Sequence, residues 1–288
     1  MFVRPPLGRP FPRRRENNQP PHNQQLDGEQ VEDHFYPGIY DVLKVRHILL
    51  WNVMAQGIPT EVVDMIVDAA EYWPSTETTL REKKTVRKDV DQALISTSPL
   101  CYDEKTLDMP NPRPLPHRAI HPCRKIVFTI MSHDQGGLSE RRVSGSERPA
   151  YYDGTYTWFD AEIIHNAHES AQREDISGKM DPTDRSPKHY GPDDPLLLPR
   201  GNALQRNRAR IQRAKRHTIV WHHLDNIADS SPEAEDIERY EGRGRETLSG
   251  KQVREMELGD SILVWARARF PGWVNYVDEL SVRVFWAI

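Results

Sequence analysis

From residue 123 to the last residue, the chain breaks into short runs in which apolar and polar side chains alternate. In CRKIVFTIMS (123–132), Ile126, Phe128 and Ile130 share one face, the two-residue period of a half-buried strand. Similar runs occur at 155–163 (TYTWFDAEI), 216–223, 259–270 and 280–288, with a further candidate at 94–100. Each is short, rich in β-branched or aromatic residues, and bounded by Gly, Pro or Asp. No long helical pattern separates them. The reading is therefore mainly β, an antiparallel β-sandwich over 94–288. The final run reaches Ile288, which predicts a terminus tied into the sheet.

Upstream the period changes. Ile39, Val42, Leu43, Val45, Leu49, Leu50 and Val53 form a broad apolar stripe at helical spacing, and Gly57 is placed to close that helix in the left-handed region. A second helix is predicted over 58–73. Pro59 suits its first turn, Glu61 and Asp64 face the positive end of its dipole, and Pro74 stops it. Val62, Val63, Ile66, Val67 and Ala70 form its apolar face. Residues 75–93 are highly charged with few apolar anchors, and read as a linker or a solvated helix.

Composition adds two segments that pack no core. Pro makes up 23 of 288 residues, and the apolar classes only 37%, below the roughly 45–50% of ordinary domains. Residues 1–34 are rich in Pro, Arg, Asn and Gln, and read as a disordered tail. Residues 165–202 carry five Pro and many Asp, and read as a disordered insertion. The 7 Trp argue for a folded domain beside these segments. The domain plan is thus a tail at 1–34, a helical segment at 37–93 and a sandwich at 94–288.

Charge and targeting signals exclude several classes. No apolar run approaches the ~18 residues of a membrane span. The N-terminal MFVRPPLGRPFPRRR lacks the apolar stretch of a secretory signal, and its four Pro break the helix that a transit peptide needs. With 2 Cys there is no disulfide framework, so the cytoplasm or nucleus is the expected compartment. A net charge of −4 counts against general attraction to nucleic acid.

The chemistry-bearing residues form no catalytic set. His121 and Cys123 precede a strand and His133 and Asp134 follow it, about 33 Å away, so they make no metal site. Cys123 lies beside Arg124 and Lys125, which could lower a thiol pKa. No phosphate-binding glycine loop or nucleophile elbow occurs, and no cofactor is implied. The densest charge feature is a basic patch, with Arg206, Arg208, Arg210 and Arg213 and no acid over 200–216. The acidic stretch 225–241 is available to neutralise it. Trp273, in the Phe270-Pro271-Gly272 turn, is placed either in the core or at a loop end, where sandwiches bind ligands.

Four segments together carry a resemblance: HPCRKIVFTIMSHDQGG (121–137), GTYTWFDAEI (154–163), HTIVWHH (217–223) and GDSILVWARARFPGWVN (259–275). They resemble a family of uncharacterised filamentous-fungal proteins whose C-terminal region looks like a galactose-binding-like β-sandwich, a jelly roll. The resemblance implies the sandwich fold but no function, and no catalytic residue carries over; with no catalytic set in the chain, the reading is a non-enzymatic protein- or ligand-binding sandwich, with glycans among the candidate ligands. Asp134, Gln135, Trp273 and Asn275, in or beside loops of the sandwich, are the candidate ligand-facing residues. In that family a Trp follows the DQG segment, where this chain has Gly137. Ile58-Pro59-Thr60-Glu61-Val62 also resembles the start of an F-box, which implies the alternative of a substrate adaptor recruiting a ubiquitin-ligase scaffold. An enzyme of unknown reaction is the third reading.

Overall fold

A computed structural model describes residues 35–109, 111–137, 151–171 and 189–288. The expected tail at 1–34 and residues 172–188 of the expected insertion lie outside the described residues. The chain runs α1 (Ile39–Trp51), α2 (Thr60–Ala69), β1 (Ser75–Thr79), β2 (Lys84–Arg87), β3 (Gln92–Ser96), α3 (Glu104–Leu107) and β4 (Cys123–Asp134). It continues through β5 (Thr157–Ile164), α4 (Ala167–Ala171), β6 (Gln205–Arg206), β7 (Lys215–His222), α5 (Pro232–Glu241), α6 (Lys251–Glu255), β8 (Ser261–Ala268) and β9 (Val274–Trp286).

The strands form two antiparallel sheets. One has the order β1-β9-β4-β7, with β2 also on β9, and the other β3-β8-β5-β6. Four pairings nest in sequence: β1·β9 encloses β3·β8, then β4·β7, then β5·β6. The alternation of β4 turns Ile126, Phe128 and Ile130 inward. There they share one apolar cluster with Ile219 and Trp221 of β7, Val282 and Val284 of β9, and Phe159, Ile262 and Val264 of the other sheet.

Residues 75–93 differ from the expected linker or solvated helix. Ser75–Thr79 pairs with 281–285 and Lys84–Arg87 with 274–277. Their polar runs signal little locally, because both strands are held by partners about 200 residues away. The helices also differ in detail. Helix α1 stops at Trp51 with Asn52 as its cap, and Gly57 (φ 74°) belongs to the turn that follows. Val42, Val63, Val67 and Trp73 join the same apolar cluster as the sheets. Arg118 bridges to Asp64 (2.9 Å) and Asp68, and Trp73 Nε1 donates to Asp68 (2.8 Å). Residues Tyr36–Ile288 are accordingly one compact unit. At the terminus, Ala287 N donates to Pro122 O (2.9 Å) and Ile288 is buried. No helix among the described residues is long and apolar enough to cross a membrane.

Candidate functional site

Strands β4, β5, β7, β8 and β9 bring the 134–137, 151–157, 207–215 and 269–274 segments to one end of the sheets. All the residues singled out as ligand-facing lie there, but Asp134, Trp273 and Asn275 are buried and Gln135 is partly buried. Asp134 is fully buried. Its carboxylate accepts hydrogen bonds from Gly136 N (2.8 Å) and from Arg210 N, and burial raises its pKa above the ordinary value. Asn275, also fully buried, donates from Nδ2 to the carbonyls of Trp158 (3.2 Å) and Arg267 (3.3 Å). Its Oδ1 accepts from Asn207 Nδ2 (2.9 Å), and Asn207 links on to Thr157 Oγ1 (3.1 Å) and Ser132 Oγ (2.7 Å). This buried polar set joins the two sheets and pins the 207–212 segment across their end. Buried polar groups need such partners, because each one left unmatched costs about 1–3 kcal/mol.

Gln135 Oε1 accepts from Val274 N (2.9 Å) and so fixes the start of β9. Trp273 is 9% exposed and stands edge-on to Tyr156 at 5.1 Å, while Tyr156 also meets Phe270 at 4.6 Å. The Trp thus anchors the 270–273 turn, with Phe270 (φ 64°) half-exposed at its tip.

The basic patch divides. Arg206 donates to Glu238 (2.8 Å), the neutralisation expected from the acidic stretch. Arg208 lies over the Tyr151 ring at 5.1 Å. Arg210 contributes its backbone N–H to Asp134, and Arg213 is exposed with no ion pair among the described residues. Lys215 donates to Tyr152 (3.0 Å), beside the buried His217. Burial, with Lys215 and Arg208 nearby, holds the His217 pKa down to about 3.

A cleft of about 640 Å³ adjoins this end through Arg206 and Asp153. Its walls are α5 and the 199–206 segment. Glu235, Glu238 and Arg239 line it from α5, Arg200 and Gly201 from the facing segment, and Arg245 and Glu246 from the turn after α5. Glu238, nearly buried, holds both Arg206 and Arg245 (2.6 Å to Arg245 Nε). Arg239 reaches Asp153 only loosely, at 3.9 Å. The frame is fixed by main-chain bonds: Arg206 N to Gly242 O (2.8 Å), Gly244 N to Ala203 O (2.9 Å) and Glu246 N to Gly201 O (2.8 Å). Gly242 closes α5 at φ 78°, where a Cβ would overlap the Tyr152 ring. The Nε atoms of Arg206 and Arg208 are buried and have no hydrogen-bond partner among the described residues.

A second charged set was not anticipated from the sequence. Asp91, just before β3, binds both Arg267 of β8 and Arg269 just after it, and Arg267 also binds Asp160 of β5. Tyr190 donates to Asp91 (2.8 Å) and lies on the Arg269 guanidinium at 3.6 Å, while Arg269 Nε donates to Leu196 O (3.0 Å). The 189–198 part of the expected insertion is thereby packed on this sheet. Burial pushes the Asp91 carboxyl up, but its bonds to Arg269 and the charge of Arg267 outweigh this and hold it below the ordinary value. The set is saturated internally, which marks it as structural.

Cys123 does not have an activated thiol. It is fully enclosed, and burial pushes its pKa up to about 12, against the opposing pull of Arg124. Cys101 is also buried and raised. Among the described residues no three His, Cys, Asp or Glu side chains gather as a metal site. No protein-family model, curated protein or solved structure matches the chain.

Proposed function

We propose that the protein is a non-enzymatic binding protein of jelly-roll architecture, related to galactose-binding-like sandwiches. On this reading it holds a charged protein segment or a small polar ligand, glycans included, in the cleft between α5 and residues 199–206. The nested pairing of strands supports the architecture. With β2 set aside, the sheets read 1-8-3-6 and 2-7-4-5, the order of a folded antiparallel ribbon with two Greek keys.

The observation that carries the functional reading is the preformed cleft itself. Its ~640 Å³ falls inside the ~300–1,000 Å³ of small-ligand sites. Its walls, however, are four guanidiniums and four carboxylates rather than apolar side chains. Glu238 is committed to Arg206 and Arg245. Arg200, Glu235 and Glu246 have no ion pair among the described residues, so they are the groups left to meet a ligand. A frame held by main-chain hydrogen bonds reduces the ordering cost of binding.

Glycan and peptide arrays probed with the full chain test this reading. The expected result is a defined set of retained ligands, lost in an Arg200→Ala, Arg239→Ala double variant that unfolds at the wild-type temperature. No retained ligand, or retention unchanged in that variant, would overturn it.

A further inference from the structure

We propose that Arg208, Lys215 and His217 form a binding site for a phosphate monoester group, built from the part of the basic run that the acidic stretch leaves unpaired. None of the three lines the α5 cleft, and the site stands whether or not that cleft is filled. Lys215 and His217 are two residues apart on β7, opposite Ser132 and Ile130 of β4, so both side chains lie on the same face of the strand. Tyr152 touches both: its hydroxyl accepts from Lys215 Nζ at 3.0 Å, and its ring stands edge-on to the His217 ring at 5.9 Å. Arg208 arrives on the segment alongside. Ala209 N donates to Tyr151 O (2.7 Å) and Asn207 N to Thr157 O (3.1 Å). These bonds anchor the main chain on either side of Arg208, whose guanidinium lies over the Tyr151 ring at 5.1 Å.

The cluster is short of negative charge. Neither Arg208 nor Lys215 has an ion pair among the described residues, and Arg208 Nε is buried without a hydrogen-bond partner. His217 is only 6% exposed and its Nε2 is likewise unpartnered, a state that native interiors avoid. Burial, then the charges of Lys215 and Arg208, keep this imidazole neutral, so both cations act on the same ring. The acids at or beside this end are committed elsewhere: Glu238 to Arg206 and Arg245, Asp153 to Arg239, and Asp134 to the main-chain N–H groups of Gly136 and Arg210. A ligand that completes the set must match both cations and offer several acceptors. A phosphate monoester carries about −1.5 to −2 charges at pH 7 on three acceptor oxygens. A carboxylate or a sulfate monoester brings a single charge and leaves one cation unmatched. The donor types also suit phosphate, with a guanidinium fork from Arg208 and a point charge from Lys215.

Titration of the full chain at about 0.15 M salt tests this, with inorganic phosphate, a phosphoserine peptide and glycerol phosphate as probes. Proton–nitrogen NMR follows the His217 imidazole, identified as the signal missing from His217→Gln. The expected result is a saturable shift with the probes. His217 should also titrate at higher pH with phosphate bound, because the anion offsets both cations. Lys215→Met and Arg208→Gln should each weaken binding about tenfold or more, and Lys215→Arg should retain it. Arg213→Ala, exposed and outside the cluster, should leave the affinity within about twofold. If Arg208→Gln does not fold, the two Lys215 variants decide. Tighter binding of the peptide than of glycerol phosphate would assign the group to a phosphorylated protein, and the reverse to a small metabolite; equal affinity means that the group alone is read. No saturable change with any probe would overturn the proposal. So would an affinity for phosphate unchanged in Lys215→Met.

Discussion

Asp134 and Asn275 show how a polar residue at a strand end can be misread. Both have the composition of a ligand contact, and both are buried between the sheets. The signal was in the parity: Ile126, Phe128, Ile130, Ser132 and Asp134 fall on one face of β4, and that face is the core. What parity does not reveal is the partner, because Asn207, which meets Asn275, and Arg210, which meets Asp134, arrive on a segment more than 60 residues from either. Replacing Asn207 with Ala strips partners from Ser132, Thr157 and Asn275 at once. With about 1–3 kcal/mol for each buried group left unmatched, urea unfolding should show a loss of about 2–4 kcal/mol. A loss below about 0.5 kcal/mol, the range of an ordinary surface change, would contradict the assigned network. His217 gives a pH-dependent counterpart. Its imidazole ionises near 6.5 when unfolded and near 3 when folded. The unfolded chain therefore binds the extra proton, and stability falls as pH drops from about 6.5 toward 3, with no such dependence above that window. Thermal unfolding of His217→Gln should show a flatter pH profile than wild type across that window; identical slopes would argue against a buried neutral His217.

At the scale of elements, long and strongly patterned runs were legible and short polar ones were not. Strands β4, β5, β7 and β8 appear within a few residues of their expected bounds, because alternation is a local property. Strand β9 begins at Val274, six residues before the expected 280 and directly after the 270–273 turn. Strands β1 and β2 had no apolar alternation to announce them and exist through β9. Arg267 and Arg269 were legible only in part. Arg267 lies near the end of β8 and Arg269 just past it, and two covered guanidiniums at a spacing of two demand acids. Neither the acid, Asp91, nor the covering residues Tyr190 and Leu196 could be read from that spacing. Asp91→Ala leaves two largely buried cations without their shared partner. The expected loss is about 3–5 kcal/mol by denaturant unfolding, with Tyr190 fluorescence or proteolysis near 189–198 reporting release of that segment. A change of under about 1 kcal/mol, the value of an exposed pair, would show the network to be dispensable.

Residues Tyr36–Ile288 are one compact unit in which the α1–α2 helices and both sheets share a core, with the 189–198 segment packed on the second sheet. This bears on how it can be dissected. A fragment beginning at residue 94 lacks β1, β2 and the α2 face that covers the core. It is expected not to unfold cooperatively, and a sharp thermal transition from such a fragment would contradict the assigned core. The cleft between α5 and 199–206 was invisible to sequence reasoning for a related reason. Asp153, Arg200, Glu238, Arg239 and Arg245 come from three separate segments, and only the basic run around Arg206 signalled that charge gathers there. Whether this cleft is where the molecule meets its ligand is tested most directly by hydrogen–deuterium exchange on the full chain, with and without a ligand retained on the arrays. The expected result is added protection at 151–153, 199–206 and 235–246, with the 270–273 turn and the α1–α2 hairpin unchanged. Protection confined to that turn or to the hairpin, with the cleft segments exchanging as before, would contradict the account.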